Sequence, residues 1–380
     1  QKAVDLFPNN AELIEYYPIS EKIWFRGKPQ SLYPLGQNMD DVVVVTGASG
    51  YIGSHIVSNL LSKGRNVRAT VRDLNDPSRI KHLCTLPIQG DGTLEIVEMD
   101  LFDVNSVNSA INGANDVIHT AAAVIIKSKN PQGDIVDPSI IGTKNILNAI
   151  DKSGTVKNLI HTSSTAAIRP ASWEDGVILT TETFAHDATL SKNPYGLAKY
   201  SAEMLVRNWH NNLEPAVRPR MLTIHPCMVF GPPLSSRHLN GSLAILMMLV
   251  KRNLPVLIPM QISIVDVRDV AEIHVRALDM GESGGRYLTV GGEMMLGDIA
   301  NLLKFNYPSR KWPTRVIPYW VALIIAAFHP KVSISWAKTH LKNKLYWDAK
   351  PASEDFKIQW RDLDETIIET IPNIIENSWD

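Results

Sequence analysis

Apolar positions along this chain change their period from stretch to stretch, and each period predicts an element. Residues 42–45 are four consecutive valines, which read as a strand buried on both faces, where polar and apolar residues need not alternate. From Ile52 an apolar pattern of helical period follows at once. Residues 66–71 alternate as a second strand, and 94–99, 116–119, 156–161 and 221–224 read as four more. Helices are expected near 78–83, over 104–111 (ended by Gly113), over 140–150 and over 195–210. Strand and helix alternating at this pace predict an α/β fold with a doubly wound parallel sheet, whose ligands gather at the carboxyl ends of the strands.

The rhythm breaks at about Gly231. Pro232 and Pro233 interrupt the chain, 243–250 is an apolar helix, and 262–267 is a short strand that runs into a helix opening at Arg268. Residues 286–290 are placed to return to the sheet. The expected division is an N-terminal extension over 1–40, polar with Pro8, Pro18, Pro29 and Pro34, then a dinucleotide-binding domain over 41–235 with a return near 256–275. A smaller substrate-binding region over 236–380 completes it. Within that region, residues 317–328 are apolar on every helical face, with Pro318 suited to a first turn and Pro330 just past the end. About three turns cannot span a bilayer. A pocket lid or subunit interface is preferred to a membrane contact, because no cluster of Lys and Arg flanks the segment closely.

The turn between the valine run and its helix carries Gly47, Gly50 and Gly53, with Ser49, Tyr51 and Ile52 between them. Glycines at that spacing serve a tight turn, the approach of backbone to a phosphate, and close helix-on-strand packing. The new helix aims its free N–H groups and positive dipole end at the same point, which suits a pyrophosphate. A dinucleotide site is therefore expected here.

Composition narrows the rest. With 38 Lys and Arg against 39 Asp and Glu, nothing suggests a nucleic-acid partner. Two cysteines, Cys84 and Cys227, have no metal-type spacing and fit a reducing, cytoplasmic compartment; no secretory h-region is visible. His186, His225 and His238 lack ligand spacing, so no metal is assigned. Six of the nine tryptophans (Trp312, Trp320, Trp336, Trp347, Trp360, Trp379) fall in the last 70 residues, where they suit a pocket wall, a lid or ordinary packing.

Tyr195 and Lys199 stand four residues apart on one helical face. A free phenol has a pKa of about 10, and a nearby ammonium is expected to lower it toward useful proton exchange. Ser164, at the end of the fifth strand, is placed to hold a substrate oxygen. The pairs Tyr307/Lys311 and Tyr346/Lys350 repeat the spacing outside the dinucleotide half and read as decoys. Cofactor choice is read at the end of the second strand. A carboxylate there would take the ribose 2′-hydroxyl of NAD, whereas this chain has Arg72, with Arg79 seven residues on and Asp73 alongside. Guanidinium groups suit a 2′-phosphate, so NADP (NADPH) is favoured over NAD. Cys227 reads as an apolar filler, and Asp269 as a helix cap beside Asp266.

Taken together, the glycine loop, Asp100-Leu101, His119-Thr-Ala-Ala, Gly142-Thr143, Thr162-Ser-Ser, Tyr-x-x-x-Lys and His225-Pro226-x-x-Val229-Phe-Gly-Pro resemble the extended short-chain dehydrogenase/reductase family. The nearest branch is that of dihydroflavonol reductase and 3β-hydroxysteroid dehydrogenase, over roughly 41–300. The resemblance implies a Rossmann sheet and hydride transfer from a nicotinamide to a carbonyl. It gives Tyr195 the proton, Lys199 the nicotinamide ribose, and Ser164 (Ser163 being the alternative) the carbonyl. It also implies Asp100 and Leu101 at the adenine, Thr120, Ala121 and Ala122 along the cofactor, and Pro226 and Val229 at the nicotinamide. Ser139 stands where many members carry Asn, which puts a water relay there in doubt. The expected function is an NADPH-dependent ketone or aldehyde reductase acting on a small molecule, open to an aromatic or multi-ring body and to a homodimer. The alternatives are a sterol-type 3β-hydroxy dehydrogenase and a non-catalytic dinucleotide-sensing protein.

Overall fold

The computed structural model describes residues 22–26, 41–122, 128–328 and 334–375. A strand β1 (Lys22–Arg26) precedes β2 (Val42–Thr46), α1 (Tyr51–Ser62), β3 (Asn66–Val71), α2 (Pro77–Cys84), β4 (Thr93–Glu98), α3 (Val104–Ile111) and β5 (Asp116–His119). Then come α4 (Asp137–Ser153), β6 (Asn158–Thr162), β7 (Val177–Leu179), α5 (Pro194–Asn212), β8 (Arg220–Pro226), β9 (Met228–Phe230) and α6 (Ala244–Val250). The chain continues through β10 (Gln261–Asp266), α7 (Val267–Arg276), β11 (Arg286–Thr289), β12 (Gly292–Met295) and α8 (Leu296–Asn306). It closes with α9 (Tyr319–Phe328), α10 (Ile334–Lys342), β13 (Leu345–Trp347), α11 (Lys350–Asp355) and α12 (Leu363–Ile375).

The main sheet has the order β1-β4-β3-β2-β5-β6-β8-β11. Seven of its strands run parallel, and β1 joins the edge antiparallel, Lys22 opposite Val97. The polar, proline-marked stretch before residue 41 thus supplies a strand that its composition did not announce. Strand order reverses at β2, which opens a crevice at the carboxyl ends of β2 and β5. The valine run lies at the centre because both of its faces are covered. Val43 and Val45 pack with Ile56, Leu60 and Leu61 of α1 and Ile273 of α7, while Val44 packs with Ile111, Ile146 and Val206 on the other side.

Polar caps set where the helices begin. Asp76 accepts from Ser78 N ahead of α2, Asp103 from Asn105 N ahead of α3, and Asn193 from Gly196 N ahead of α5. The expected cap at Asp269 is corrected by one helical turn. Asp266 accepts from Arg268 N, because Asp266 has extended backbone while Asp269 already lies inside α7 and binds Arg361.

A smaller layer forms beyond the sheet. β9 pairs parallel with β10 and β10 antiparallel with β12, and α6, α8 and α12 close over them around Phe230, Leu246, Ile264, Ile299 and Ile371. Near the C-terminus, β13 pairs with β7, so residues 345–347 return to the middle of the chain.

Candidate active site

Backbone clearance, more than side-chain chemistry, shapes the loop after β2. Gly47 has φ 68°, and a Cβ there would stand 2.8 Å from Ala121 Cα. A Cβ on Gly53 would stand 2.4 Å from the carbonyl oxygen of Gly47. Both contacts are backbone, so no rotamer change could relieve them. Gly50 occupies the N-cap of α1 without a side-chain cap, leaving the first-turn N–H groups to face the cleft. Thr46 Oγ1 accepts from Thr120 N and Ala121 N, both at 3.1 Å, and bonds His119 Nδ1 at 2.8 Å, which ties the loop to the end of β5. These features fit a dinucleotide: open N–H groups at a positive helix end, and space that a side chain would fill.

An open cleft of about 460 Å³ runs over this loop. Gly47, Ser49, Gly50, Tyr51, Ile52, Gly53, Thr120, Ala121 and Ala122 line it around the loop, and Arg72, Arg79, Leu101, Ser164, Tyr195, Lys199, Pro226 and Val229 complete the lining. Asp100 is the exception among the residues read from the sequence. It lies outside the lining, and its carboxylate accepts from Phe102 N at 2.9 Å in a local turn. Tyr51 Oη donates to the carbonyl of Gly231 at 2.6 Å, so its phenol ties the two layers together.

The Tyr195 phenol lines the cleft together with Ser164, whose Oγ lies 3.5 Å from Pro226 O. Lys199 lies one turn along α5 and donates to Thr162 O at 3.2 Å. The expected lowering of the phenol does not occur here. Burial raises the Tyr195 pKa above its usual value, only partly offset by Ser164, and burial pushes Lys199 down to about 8. The two serines of the strand end face different ways. Ser163 donates to Glu203 Oε2 at 3.0 Å, whereas Ser164 accepts from Ala166 N at 3.1 Å and lies 3.5 Å from Pro226 O.

Behind this face lies a buried polar cluster that spacing alone did not reveal. Glu203, one further turn along α5 and fully buried, receives Arg286 Nε at 2.6 Å and lies 3.5 Å from His225 Nε2. Arg286 also donates to the carbonyls of Thr181 and Thr183 and lies over the Phe184 ring. Burial holds His225 at about 4, so it is neutral at pH 7, and its Nδ1 contacts the Ser164 carbonyl at 3.3 Å.

Part of the cleft lining is cationic. The Arg72 side chain is exposed, Arg79 Nε stands 2.9 Å from Asp76, and Arg237 Nη1 is 3.1 Å from Ser78 Oγ and 3.6 Å from Asp76. Asp73, the carboxylate next to Arg72 whose charge would oppose a phosphate, accepts from Asn75 N at 2.8 Å and does not line the cleft. Arg237, His238, Asn240, Gly241 and Ser242 line the cleft although nothing in the sequence pointed to them. They follow the Pro232-Pro233 break, where no periodicity remains to be read.

The remaining sequence candidates resolve individually. Tyr307 donates to Ile368 O, and Lys350 pairs with Glu354, so both decoy pairs are engaged elsewhere. Burial raises the Cys227 thiol well above its usual value, which leaves no thiolate for attack. Ser139 bonds back to Ile135 O within its own turn. The C-terminal tryptophans do not line this cleft: Trp312 donates to Tyr307 O, Trp347 to Ser263 Oγ, and Trp336 stacks on His340. Trp379 lies outside the described residues.

Residues 43–291 match the family described as "NAD dependent epimerase/dehydratase family". Cinnamoyl-CoA reductase CAD2 of Medicago truncatula is 34% identical over 289 residues, which is 73% of this chain and 84% of that protein. The bifunctional dihydroflavonol 4-reductase/flavanone 4-reductase of Malus domestica is 29% identical over 285 residues, 72% of this chain and 78% of that protein. The crystal structure of Gre2 from Candida albicans in complex with NADPH superposes with a TM-score of 0.72 at 24% identity, covering 89% of this chain and all of that one, which shows the common fold. With that sheet, that cleft and these relatives, the chain belongs to the NAD-dependent epimerase/dehydratase family, the extended short-chain dehydrogenases/reductases, on the dihydroflavonol-reductase-like branch, as an NAD(P)-dependent oxidoreductase acting on carbonyl and hydroxyl groups.

Proposed function

We propose that this chain reduces a ketone or aldehyde with NADPH, Tyr195 serving as the proton donor. The observation that carries this reading is that Ser164, Tyr195 and Lys199 line one cleft together with the glycine loop, Lys199 standing one turn along α5 from Tyr195 and held at Thr162 O. When bound, the nicotinamide supplies the hydride. Ser164 orients the carbonyl oxygen by donating to it, and Tyr195 delivers its proton to that oxygen as negative charge develops there. Lys199, held at Thr162 O, lies where an ammonium stabilises the resulting phenolate. One hydride and one proton turn the carbonyl into an alcohol.

Arg72 and Arg79 in the cleft lining support a 2′-phosphate, and hence NADPH over NADH. An aromatic or multi-ring carbonyl is supported by relatives named for reducing cinnamoyl-CoA and dihydroflavonol. The test is a panel of aromatic aldehydes and ketones with each nicotinamide, followed by nicotinamide absorbance. Turnover with NADPH, lost in Tyr195→Phe, is expected. Tight NADPH binding with no turnover on any member of the panel would favour a dinucleotide sensor instead.

A further inference from the structure

Charge along this chain is not evenly spread. Between Asp298 and Asp348 lie 49 residues that hold eight of the chain's 38 Lys and Arg and none of its 39 Asp and Glu. The stretch contains α9 and α10, which pack on each other through small residues. Ala322 and Ala326 of α9 meet Ala337 and Leu341 of α10 over Ile258 and Met260.

The inner seam leaves the outer faces uncovered. On α9, Trp320, Ile324 and Phe328 recur at four-residue spacing with Ile325 beside them; Trp320 is 64% exposed and Phe328 86%. On α10, Ile334, Lys338 and Lys342 recur at four-residue spacing, all exposed. None of these side chains lines the cofactor cleft, so α9 is not a lid over that cleft. Four large apolar side chains on one short ridge are costly to leave in water and mark an interaction surface.

We propose that the packed α9 and α10 helices dock on the surface of an anionic lipid bilayer. The apolar ridge of α9 lies at the boundary between headgroups and acyl chains, and the surrounding Lys and Arg contact lipid phosphates and carboxylates. The charge of the stretch selects this occupant. A two-fold interface between copies would set the exposed Lys338 and Lys342 of one α10 against those of the other and bring like charges together. An exposed tryptophan at the start of the ridge suits the interfacial zone, where its ring is buried and its N–H stays wet. At ten residues α9 is about 15 Å long, half the thickness of a bilayer core, so it lies in the interface. No helix among the described residues is long and apolar enough to cross a membrane.

The test is co-sedimentation of the full chain with vesicles of phosphatidylcholine alone and with about 30% phosphatidylserine. Binding is expected to rise about tenfold or more on the anionic vesicles and to fall as ionic strength shortens the screening length. Lys338→Glu with Lys342→Glu should abolish the preference for phosphatidylserine, and Trp320→Ser with Ile324→Ser should abolish binding altogether. All four positions are away from the cleft, so NADPH binding and the thermal midpoint of these variants should match the parent and report an intact fold. Three results would overturn the proposal: no enrichment of the parent chain on anionic vesicles, binding indifferent to both double variants, or self-association without vesicles that the apolar pair removes.

Discussion

Tyr195 and Lys199 work in an environment that opposes charge, and the opposition can be measured. Burial holds Lys199 at about 8, below the roughly 10.4 of an exposed lysine. Between those values the unfolded chain binds more protons than the folded one, so stability rises with pH across that window. Below it, the buried ammonium costs stability, on the order of 3 kcal/mol for a shift of this size. Lys199→Met is therefore expected to be more stable than the parent at pH 7 in urea titrations, with the difference closing toward pH 10.5, while turnover falls. Tyr195→Phe should cost about a hundredfold or more in turnover and leave NADPH affinity nearly unchanged, because the phenol acts in proton transfer. Comparable losses in Tyr307→Phe would remove the assignment. Arg72→Ala should weaken NADPH by about tenfold or more, the value of one charge-assisted contact, and NADH little. Isothermal titration with both cofactors separates these outcomes.

At the scale of elements, α5 carries a stripe of three polar side chains, Tyr195, Lys199 and Glu203, one turn apart. The first two reach the cleft, and the third anchors Ser163 and Arg286 beneath it. Glu203→Ala would leave the Arg286 guanidinium buried without its carboxylate, and the expected loss of unfolding free energy is about 3 kcal/mol. Urea denaturation measures it; a loss below about 1 kcal/mol would mean that the Thr181 and Thr183 carbonyls suffice to hold Arg286. The α9 helix teaches the opposite lesson about reading elements in isolation. Along the chain only Arg315 and Lys331 stand within four residues of the 317–328 segment, yet the helix packed against it carries the exposed Lys338 and Lys342.

Across the whole molecule, the cleft is a seam closed by contacts distant in sequence. His238 bonds Ser49 O, Tyr51 reaches Gly231 O, and Arg237 reaches Ser78, each across more than 150 residues. A ligand in this seam binds only the folded chain. NADPH at a hundred times its dissociation constant should add about 2.7 kcal/mol of stability and raise the thermal midpoint by several degrees, more than NADH at equal concentration. Equal shifts from both cofactors would contradict the role given to the arginines. What the sequence determined by itself is local or repeated: the buried valine strand, the glycine turn, the alternation of strand and helix, and the Tyr195/Lys199 pair on one helical face. Each is set by a period or by a backbone demand within a few residues, so it survives without the fold. Only the tertiary structure decided that Ser163 bonds Glu203 while Ser164 does not, that the Asp100 carboxylate caps its own turn, that Glu203 and Arg286 meet, and that Arg237 joins Arg72 in the cleft lining. Those outcomes depend on which distant strand ends and loops share one seam, and no period in the chain encodes that.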